Sequence, residues 1–229
     1  MLVDGFKSGV VAAEGLIAHG RGEAYDYLIG ERTTRTARRA IKASAAMLML
    51  SIKPVISVNG NAAALCSQEI VQLAEAINAE IEVNLFYRTS EREIAVKAQL
   101  ERYGAKQVLG VGERNFARIP ELQSERRRVD SEGIYIADTV FVPLEDGDRT
   151  EALVRMGKNV ITVDLNPLSR TAKMAHVTIV DNIVRAMPEL VKDIHALRGS
   201  NTNSLQKIVH GFDNRKNLEE SLKIIRRGI

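Results

Sequence analysis

The fold is decided by residues Pro54–Phe86, which have the sequence PVISVNGNAAALCSQEIVQLAEAINAEIEVNLF. The β-branched run Val55–Val58 predicts a short strand, which the turn residues Asn59–Asn61 bring to an end. A helical stretch over 62–78 follows, and Glu80–Phe86 predicts the next strand. Strand, helix and strand in this order form a βαβ unit, which is typical of a parallel sheet.

The same alternation continues through the rest of the chain. A helix is predicted over Glu91–Tyr103, and further strands are predicted within Val108–Gly110, Ile134–Leu144, Asn159–Leu165 and Val177–Val180. The pattern predicts an α/β fold with a Rossmann-like, mostly parallel sheet flanked by helices. We expect one domain over residues 1–229, in which 54–186 form the core and 187–229 form C-terminal helices.

The N-terminal segment, residues 1–50, is predicted to be helical around a glycine-rich loop. An apolar stripe from Leu2 to Leu16 and the helix formers of Ala37–Leu50 indicate helices. Between them, the run Gly15–Thr34 contains four glycines, which predict a loop whose backbone closely approaches a ligand. His19 and Arg21 in this run suit a phosphate or a carboxylate, although a helix C-cap with a surface arginine is the alternative.

Composition excludes several classes of protein. The 229 residues are 45% hydrophobic and 27% charged, which indicates a folded protein rather than a disordered one. The single cysteine, Cys66, excludes an intramolecular disulfide and a cysteine-based zinc site, and a reducing cytoplasm is the expected location. The uncharged stretch Ala43–Ile52 is about half of the ~20 residues that a membrane span needs.

Charge and aromatic content argue against a nucleic-acid partner. The chain has 32 basic and 29 acidic residues, so its net charge of +3 is too small to indicate nucleic acid by itself. Aromatic residues make up 4% of the chain and tryptophan is absent, which is unfavourable for stacking on single-stranded bases.

Polar residues follow nearly every predicted strand. Because parallel strands end at the same edge of a sheet, where ligands bind, these side chains are expected to gather around one site. Turn chemistry alone also favours Asn and Asp at such positions, but their recurrence indicates a polar ligand. The residues concerned are Asn59, Asn61, Asn84, 145–148, Asp164–Asn166 and Asp181–Asn182.

The run Asn159–Arg170 has features of a nucleotide pocket. An acid at a strand end, here Asp164, suits ribose hydroxyls, and Ser169 with Arg170 at a helix start suits phosphate. Pro167 fits the first turn of that helix, so a purely structural turn is the alternative. The chain contains no G-x-x-x-x-G-K-[ST] loop, which excludes a P-loop NTPase.

Two charged segments are further candidates for binding sites, one for Mg²⁺ and one for a phosphorylated substrate. Asp146 and Asp148, just after a predicted strand, are the type of ligand that binds Mg²⁺ together with phosphate oxygens, although a solvated turn is as good an explanation. The basic run Ser124–Arg128 includes Arg126, which suits a small phosphorylated substrate if the run is not simply a solvated face.

Long runs of this sequence resemble the archaeal phosphopantothenate synthetases, the phosphopantoate–β-alanine ligases of coenzyme A synthesis. The resemblance covers most of the chain and implies a Rossmann-like homodimer. It also implies that ATP is split into AMP and pyrophosphate, through an acyl-adenylate, as 4-phosphopantoate is joined to β-alanine. The runs are GLIAHGRGEAYDYLIGERTT (15–34), PVISVNGNAAAL (54–65), EIEVNLFYRT (80–89), VPLEDGDRTEALVRMGKNVITVDLNPLSRTA (142–172) and VTIVDNIVRA (177–186).

The resemblance also implies roles for particular residues. The resemblance places Arg21 and Arg170 at ATP, and as cations suited to stabilising its phosphates they are the expected catalytic residues. The remaining ATP-binding residues are Asp164, Leu165, Asn166, Ser169, Asp181 and Asn182. We assign the substrates to His19, Asn59, Asn61, Asn84 and Arg126, and Mg²⁺ to Asp146 and Asp148.

One feature departs from the family. Its members usually have a segment before the LVDGF start, with an arginine that contacts ATP and has no counterpart after Met1. Either a late start assignment or weakened nucleotide binding accounts for this difference. The Ala- and Met-rich helix at 37–50 gives local support for a helix-mediated homodimer.

Two other functions are compatible with parts of the sequence. An NAD-dependent oxidoreductase uses the same kind of sheet, but in Gly110–Gly112 the fingerprint is incomplete because Asn115 replaces its third glycine. A non-catalytic RNA-binding module accounts for the basic isoelectric point and the Arg126–Arg128 run, but not for the Asn and Asp residues at the strand ends.

Overall fold

A computed structural model of the chain describes residues 1–112, 115–120, 122–144 and 147–227. The elements along the chain are α1 (Leu2–Lys7), α2 (Ala13–Ile29), α3 (Arg35–Leu50), β1 (Pro54–Val58), α4 (Gly60–Ile77), β2 (Glu80–Val83), α5 (Ser90–Glu101), β3 (Phe116–Arg118), a 3₁₀ turn (Glu125–Arg127), β4 (Arg128–Asp130), β5 (Thr139–Pro143), α6 (Gly147–Arg155), β6 (Asn159–Val163), α7 (Arg170–Met174), β7 (Val177–Ile179), α8 (Ile183–Ala196), α9 (Thr202–His210) and α10 (Asn214–Arg227).

The main sheet has five parallel strands in the order β2-β1-β5-β6-β7. Ile56 in β1 pairs with Ile81 on one side and with Phe141 on the other. The chain therefore first extends the sheet from β1 to β2, and then crosses to the opposite side of β1 to add β5, β6 and β7. This order creates a topological switch point between β1 and β5. The predicted α/β class is confirmed.

Helices cover both faces of the sheet, because neighbouring residues of each strand point to opposite sides. On one face, Ile56, Phe141 and Ile161 pack with buried residues of α3, α4 and α8. On the other face, Val140 and Val160 pack against α6 and the segment that follows β4. Each strand is consequently buried on both sides, which explains why these strands are continuous apolar runs. No helix among the described residues is long and apolar enough to cross a membrane.

The loop predicted over Gly15–Thr34 is wrong for residues up to Ile29, because α2 is a continuous helix from Ala13 to Ile29. Of the four glycines, only Gly30 ends the helix, with a φ of 81° in the left-handed region. Gly15 is needed for close approach, since a Cβ there would lie 2.5 Å from Asn61 Oδ1. Tertiary contacts at both ends of α2 outweigh the low helix propensity of its glycines.

The region between α5 and β5 also differs from the prediction. Leu109 forms an isolated parallel bridge to Glu82 instead of the predicted strand Val108–Gly110. Two short antiparallel strands, β3 and β4, were not predicted; they pair Phe116 with Asp130. Gly110–Gly112 thus precedes a strand, whereas a dinucleotide fingerprint precedes a helix, and this disfavours NAD binding there.

Candidate active site

The polar residues that follow the strands lie at one edge of the sheet, as the parallel arrangement requires. In spatial order, the residues that directly follow the strands are Asn84, Asn59, Leu144, Asp164 and, one residue later, Asp181. We call this the carboxyl edge. Asn84 N still donates to Val58 O, at 2.9 Å, and Asp164 N to Ile179 O, at 3.0 Å, so the positions are held by the sheet itself.

The centre of the carboxyl edge is the switch point between β1 and β5. Asn59 Nδ2 donates to Leu144 O at 2.6 Å across this point, while Asn59 Oδ1 accepts from Ala62 N and caps α4. Leu144 has a φ of 57°, a left-handed conformation that is unfavourable for a branched side chain. Such conformations concentrate at functional sites, and a ligand at the switch point is the general rule for open α/β sheets.

Helix α2 crosses the carboxyl edge from β1 to β7. At its start, Asn61 Nδ2, just after β1, donates to Gly15 O at 2.8 Å. Near its end, Asn182 Nδ2, just after β7, donates to Asp26 Oδ2 at 2.8 Å. The eleven residue steps from Gly15 to Asp26 span about 16 Å of helix, and three strand spacings span about 14 Å. Helix α2 is therefore long enough to cover the carboxyl edge from β1 to β7.

An open space lies beneath the middle of α2. Gly15, His19, Gly22 and Asp26 are spaced as residues of one helix face, the face that contacts the sheet edge at both ends. No described atom lies within 4 Å of a Cβ placed at Gly22, although Gly22 itself is half-buried. From the helical spacing, we infer that this gap lies between the two anchoring contacts and faces the carboxyl edge. We call it the Gly22 gap.

At the β7 end, Arg185 joins α2 to the sheet edge. Its guanidinium donates to Asp26 Oδ2 at 3.0 Å and to Asp181 Oδ1 at 2.7 Å. Burial raises the pKa of Asp26, but the hydrogen bonds from Arg185 and Asn182 outweigh it and hold this pKa below its usual value. Asp181 is 1% exposed and also accepts from Thr33 Oγ1 at 2.6 Å. Asp181 and Asn182, expected to bind ATP, are thus engaged in holding α2.

At the β6 end, Asp164 organises the turn that leads into α7. One of its oxygens accepts from Asn166 N at 2.9 Å and the other from Ser169 Oγ. Ser169 Oγ in turn accepts from Ala172 N and caps α7. Burial raises the pKa of Asp164, against the lowering effect of these hydrogen bonds and of the Arg21 charge. Three residues expected to bind ATP, Asp164, Asn166 and Ser169, therefore form one turn; Leu165 between them is buried.

Arg170 is exposed at this turn and pairs with Asp148. The two side chains are 59% and 68% exposed, so the guanidinium is open to a ligand. A Cβ at Gly147 would lie 2.6 Å from Arg170 Nε, so glycine allows α6 to begin against this arginine. Asp146, the other expected magnesium ligand, lies outside the described residues. Among those described, no three acidic, histidine or cysteine side chains come together as a metal site.

The structure separates the expected substrate residues into two groups. His19 Nε2 lies 2.9 Å from Glu23 Oε1, which also accepts from Asn182 Nδ2, so His19 belongs to the β7 end. Asn84 and Arg126 lie at the β2 end instead: Asn84 Nδ2 donates to Arg126 O at 3.3 Å. Asn84 is 1% exposed, and its Oδ1 has no hydrogen-bond partner among the described residues.

Several residues of this edge were missed from the sequence. Arg185 is four residues after Asp181, the spacing of a helical ion pair, and this spacing was a usable signal. Arg88 donates to Gly110 O at 2.6 Å and to Arg128 O at 3.1 Å, and its place after a predicted strand was the available signal. No sequence signal indicated the left-handed conformation of Leu144.

These features define an α/β protein with a polar ligand site at the switch point of a parallel sheet, an arrangement found in many nucleotide-dependent enzymes. The model of the family described as phosphopantothenate/pantothenate synthetase matches residues 36–228. The chain belongs to this family. The resemblance inferred from the sequence is confirmed.

Proteins named 4-phosphopantoate–β-alanine ligase are similar to the chain over nearly its whole length. The one from Thermococcus kodakarensis is 54% identical over 98% of this chain and 86% of its own length. The one from Methanosarcina mazei is 50% identical over 96% of this chain and 86% of its own length. The one from Methanospirillum hungatei is 48% identical over 90% of this chain and 83% of its own length.

Proposed function

We propose that this chain is a 4-phosphopantoate–β-alanine ligase, an ATP-dependent enzyme of coenzyme A synthesis that releases AMP and pyrophosphate. The observation that carries this proposal is the 48–54% identity to proteins of that name, which extends over at least 90% of the chain. In the reaction, the carboxylate of 4-phosphopantoate attacks the α-phosphorus of ATP and pyrophosphate leaves. The amine of β-alanine then attacks the acyl carbon, AMP leaves, and the amine proton passes to solvent.

The β6 and β7 end of the carboxyl edge suits the nucleotide. Arg170 has an exposed guanidinium, and the charge of Arg21 acts on the pKa of Asp164. The Gly22 gap gives phosphates access to helix α2, which covers the edge. In this role, Arg21 and Arg170 stabilise the negative charge that spreads over the phosphates in the transition state. Asp164, Asn166 and Ser169 shape the turn that presents Arg170.

The β2 end of the carboxyl edge suits the phosphorylated acid. Asn84 follows β2 directly, and its Nδ2 donates to Arg126 O, which holds the segment of Arg126 beside the end of the strand. Arg126, beside it, supplies positive charge for a phosphate, and its guanidinium lies 5.9 Å from the centre of the Phe86 ring. Asn59 and Asn61, in the middle, fix the switch point and α2. His19 is assigned to the carboxylate side of the substrate, under α2.

Magnesium is assigned to the β5–α6 loop. Asp148 is an exposed carboxylate beside Arg170, and the described residues do not form an all-protein metal cage. This fits Mg²⁺, which keeps water and phosphate oxygens as ligands and uses one or two carboxylates. The ion neutralises the leaving pyrophosphate when bound, and Asp148 with Asp146 would hold it. Asp148 must then exchange its pairing with Arg170 for the ion.

We also propose a homodimer in the cytoplasm. Ala43, Ala46 and Leu48 of the Ala- and Met-rich helix α3 are buried within the chain, so these side chains offer no surface for the contact. The apolar side chains of Val3, Phe6 and Ile17, exposed on α1 and α2, are the better candidates. The single cysteine is a buried free thiol, which suits a reducing compartment.

The reaction is tested with purified enzyme, ATP, Mg²⁺, 4-phosphopantoate and β-alanine. We expect AMP, pyrophosphate and 4′-phosphopantothenate in equal amounts, and no amide product when either acid is omitted. With ¹⁸O in the carboxylate of 4-phosphopantoate, we expect the label in the phosphate of AMP, because that oxygen attacks the α-phosphorus. Formation of ADP and phosphate instead would contradict the adenylate route, and absence of product would contradict the assignment as a whole.

A further inference from the structure

A basic cavity lies away from the carboxyl edge, between α3, α9 and the start of α10. Its volume is about 350 Å³, within the range of small-molecule sites. Four cationic side chains line it, and the neighbouring lining residues Ile208 and Phe212 add apolar surface. The cations are Arg39, Lys42, Lys207 and Lys216. We call this the α10 cavity.

The positive charge of the α10 cavity is only partly compensated. Arg39 pairs with Glu220, and the charge of Lys42 also acts on Asp193 of α8. Lys207 and Lys216 form no ion pair within the part of the chain that the structure describes. The one acid that lines the cavity, Asp213, accepts from Lys216 N at 3.0 Å and so caps the start of α10.

A buried amide in the wall of the α10 cavity has an unused acceptor. Asn217 is 3% exposed, and its Nδ2 donates to Thr178 O in β7 at 2.9 Å. Its Oδ1 has no hydrogen-bond partner among the described residues. This oxygen is enclosed by the protein, so Asn217 ties the wall of the cavity to β7 and offers no group to a ligand.

The α10 cavity is distinct from the candidate active site. Asn217 contacts the middle of β7, whereas the active-site residues follow the ends of the strands. Arg39 and Lys42 are about two helical turns further along the chain than Thr33, which contacts Asp181. A ligand in the cavity therefore contacts a different surface from the substrates of the ligase.

We propose that the α10 cavity is a second binding site, for a small phosphorylated molecule. Ammonium groups bind phosphate as point charges, whereas planar carboxylates favour the fork of arginine. The lysines therefore hold the phosphate. Phe212 and Ile208 contact the carbon skeleton of the ligand. The size of the cavity suits a sugar phosphate or a mononucleotide.

The site is tested on the unmodified enzyme by limited lysine acetylation with inorganic pyrophosphate as the probe. Bound phosphate raises the pKa of a nearby ammonium group by about one unit, which slows acetylation about tenfold. Mass spectrometry should show this protection at Lys42, Lys207 and Lys216. Lys223, exposed on the same helix α10 and outside the cavity, is the internal control and should react at its normal rate. Equal protection of all four lysines, or of none, would overturn the proposal.

Two further experiments test which class of ligand the α10 cavity binds. Citrate, a polyanion without phosphate, should protect the three lysines less than pyrophosphate does; equal protection would overturn the phosphate preference. The double substitution Lys207→Glu with Lys216→Glu should abolish one class of pyrophosphate site in calorimetry, while Lys223→Glu retains it. The ligase rate of the double variant should be unchanged, because these residues lie outside the active site. Loss of that rate would show that the cavity is not an independent site.

Discussion

Arginines of this protein differ in what surrounds them, and this difference predicts their roles. Arg185 is held between Asp26 and Asp181, so its donors are used within the fold. Arg170 is 59% exposed and pairs with Asp148, which is exposed as well. Exposed ion pairs contribute little to stability, about 0–1 kcal/mol. The guanidinium of Arg170 is thus available to a ligand at little cost to the fold.

We expect Arg170→Ala to lower kcat/KM about 10²–10³-fold, the usual loss when one preorganised charge donor is removed. The unfolding midpoint should hardly change. Arg155→Ala is the matched control, because Arg155 is 58% exposed and pairs with Glu151 on the surface of α6. Steady-state assays of AMP release and thermal unfolding of both variants give the comparison. A rate for Arg170→Ala equal to that of Arg155→Ala would remove Arg170 from the active site.

At the scale of elements, the strands of the main sheet were predictable, whereas helix α2 and the short strands β3 and β4 were not. Each strand of the main sheet is buried on both faces, so its apolar run marks it in the sequence, as for Thr139–Pro143 and Asn159–Val163. The glycines of α2 indicated a loop because local propensity was the available signal. Hydrogen bonds from Asn61 and Asn182, distant in sequence, hold α2 in place. Only the fold reveals such contacts.

The two central glycines of α2 test the role of the Gly22 gap. Alanine is about 1 kcal/mol more favourable than glycine within a helix, so Gly22→Ala and Gly20→Ala should both raise the unfolding midpoint by about 2–4 °C. No described atom opposes either Cβ. Gly22 faces the carboxyl edge, so the methyl group of Gly22→Ala should crowd bound ATP. Overpacking of this kind costs about 1–3 kcal/mol of binding free energy, and we therefore expect the KM for ATP to rise about tenfold. Gly20 is exposed, so Gly20→Ala should leave the KM for ATP unchanged.

Thermal unfolding and ATP titrations of the two glycine variants separate the possible outcomes. A stabilised Gly22→Ala enzyme with an unchanged KM for ATP would show that the gap is not occupied during the reaction. An equal rise of KM in Gly20→Ala would instead attribute the effect to the stiffness of α2.

At the scale of the whole molecule, the sequence predicts the sheet and its carboxyl edge but not what each residue of that edge does. The polar residues Asn59, Asn84, Asp164 and Asp181 could be placed together because parallel strands end side by side. Their individual roles could not be predicted, since these depend on partners from elsewhere in the chain. Asp181 bonds to Arg185 and Thr33, for example, which fixes α2 rather than leaving the carboxylate free. Sequence thus located the edge, and tertiary contacts assign its residues.

A buried carboxylate, Glu82, makes the stability of the whole molecule depend on pH. Its oxygens accept from Asp130 N at 2.9 Å and from Ile134 N at 2.6 Å, which ties the segment after β4 to the sheet. Burial raises the pKa of Glu82 to about 7, despite these hydrogen bonds and the charge of Arg149. Between pH 4.5 and 7, the folded chain therefore holds a proton that the unfolded chain has released.

The contribution of Glu82 to the free energy of unfolding is thus complete below about pH 4.5 and is lost as the pH rises through 7, by up to about 1.4 kcal/mol per pH unit. Glu82→Gln does not titrate, so we expect this slope to disappear, even though the variant is less stable because its amide has one acceptor oxygen for two backbone N–H groups. Glu80→Gln, at the exposed start of the same strand, should leave the slope unchanged. Urea unfolding of the unmodified chain and of the two variants at pH 5, 6 and 7 measures the slope of the unfolding free energy against pH. If Glu82→Gln keeps the slope of the unmodified chain, the pH dependence arises from other groups.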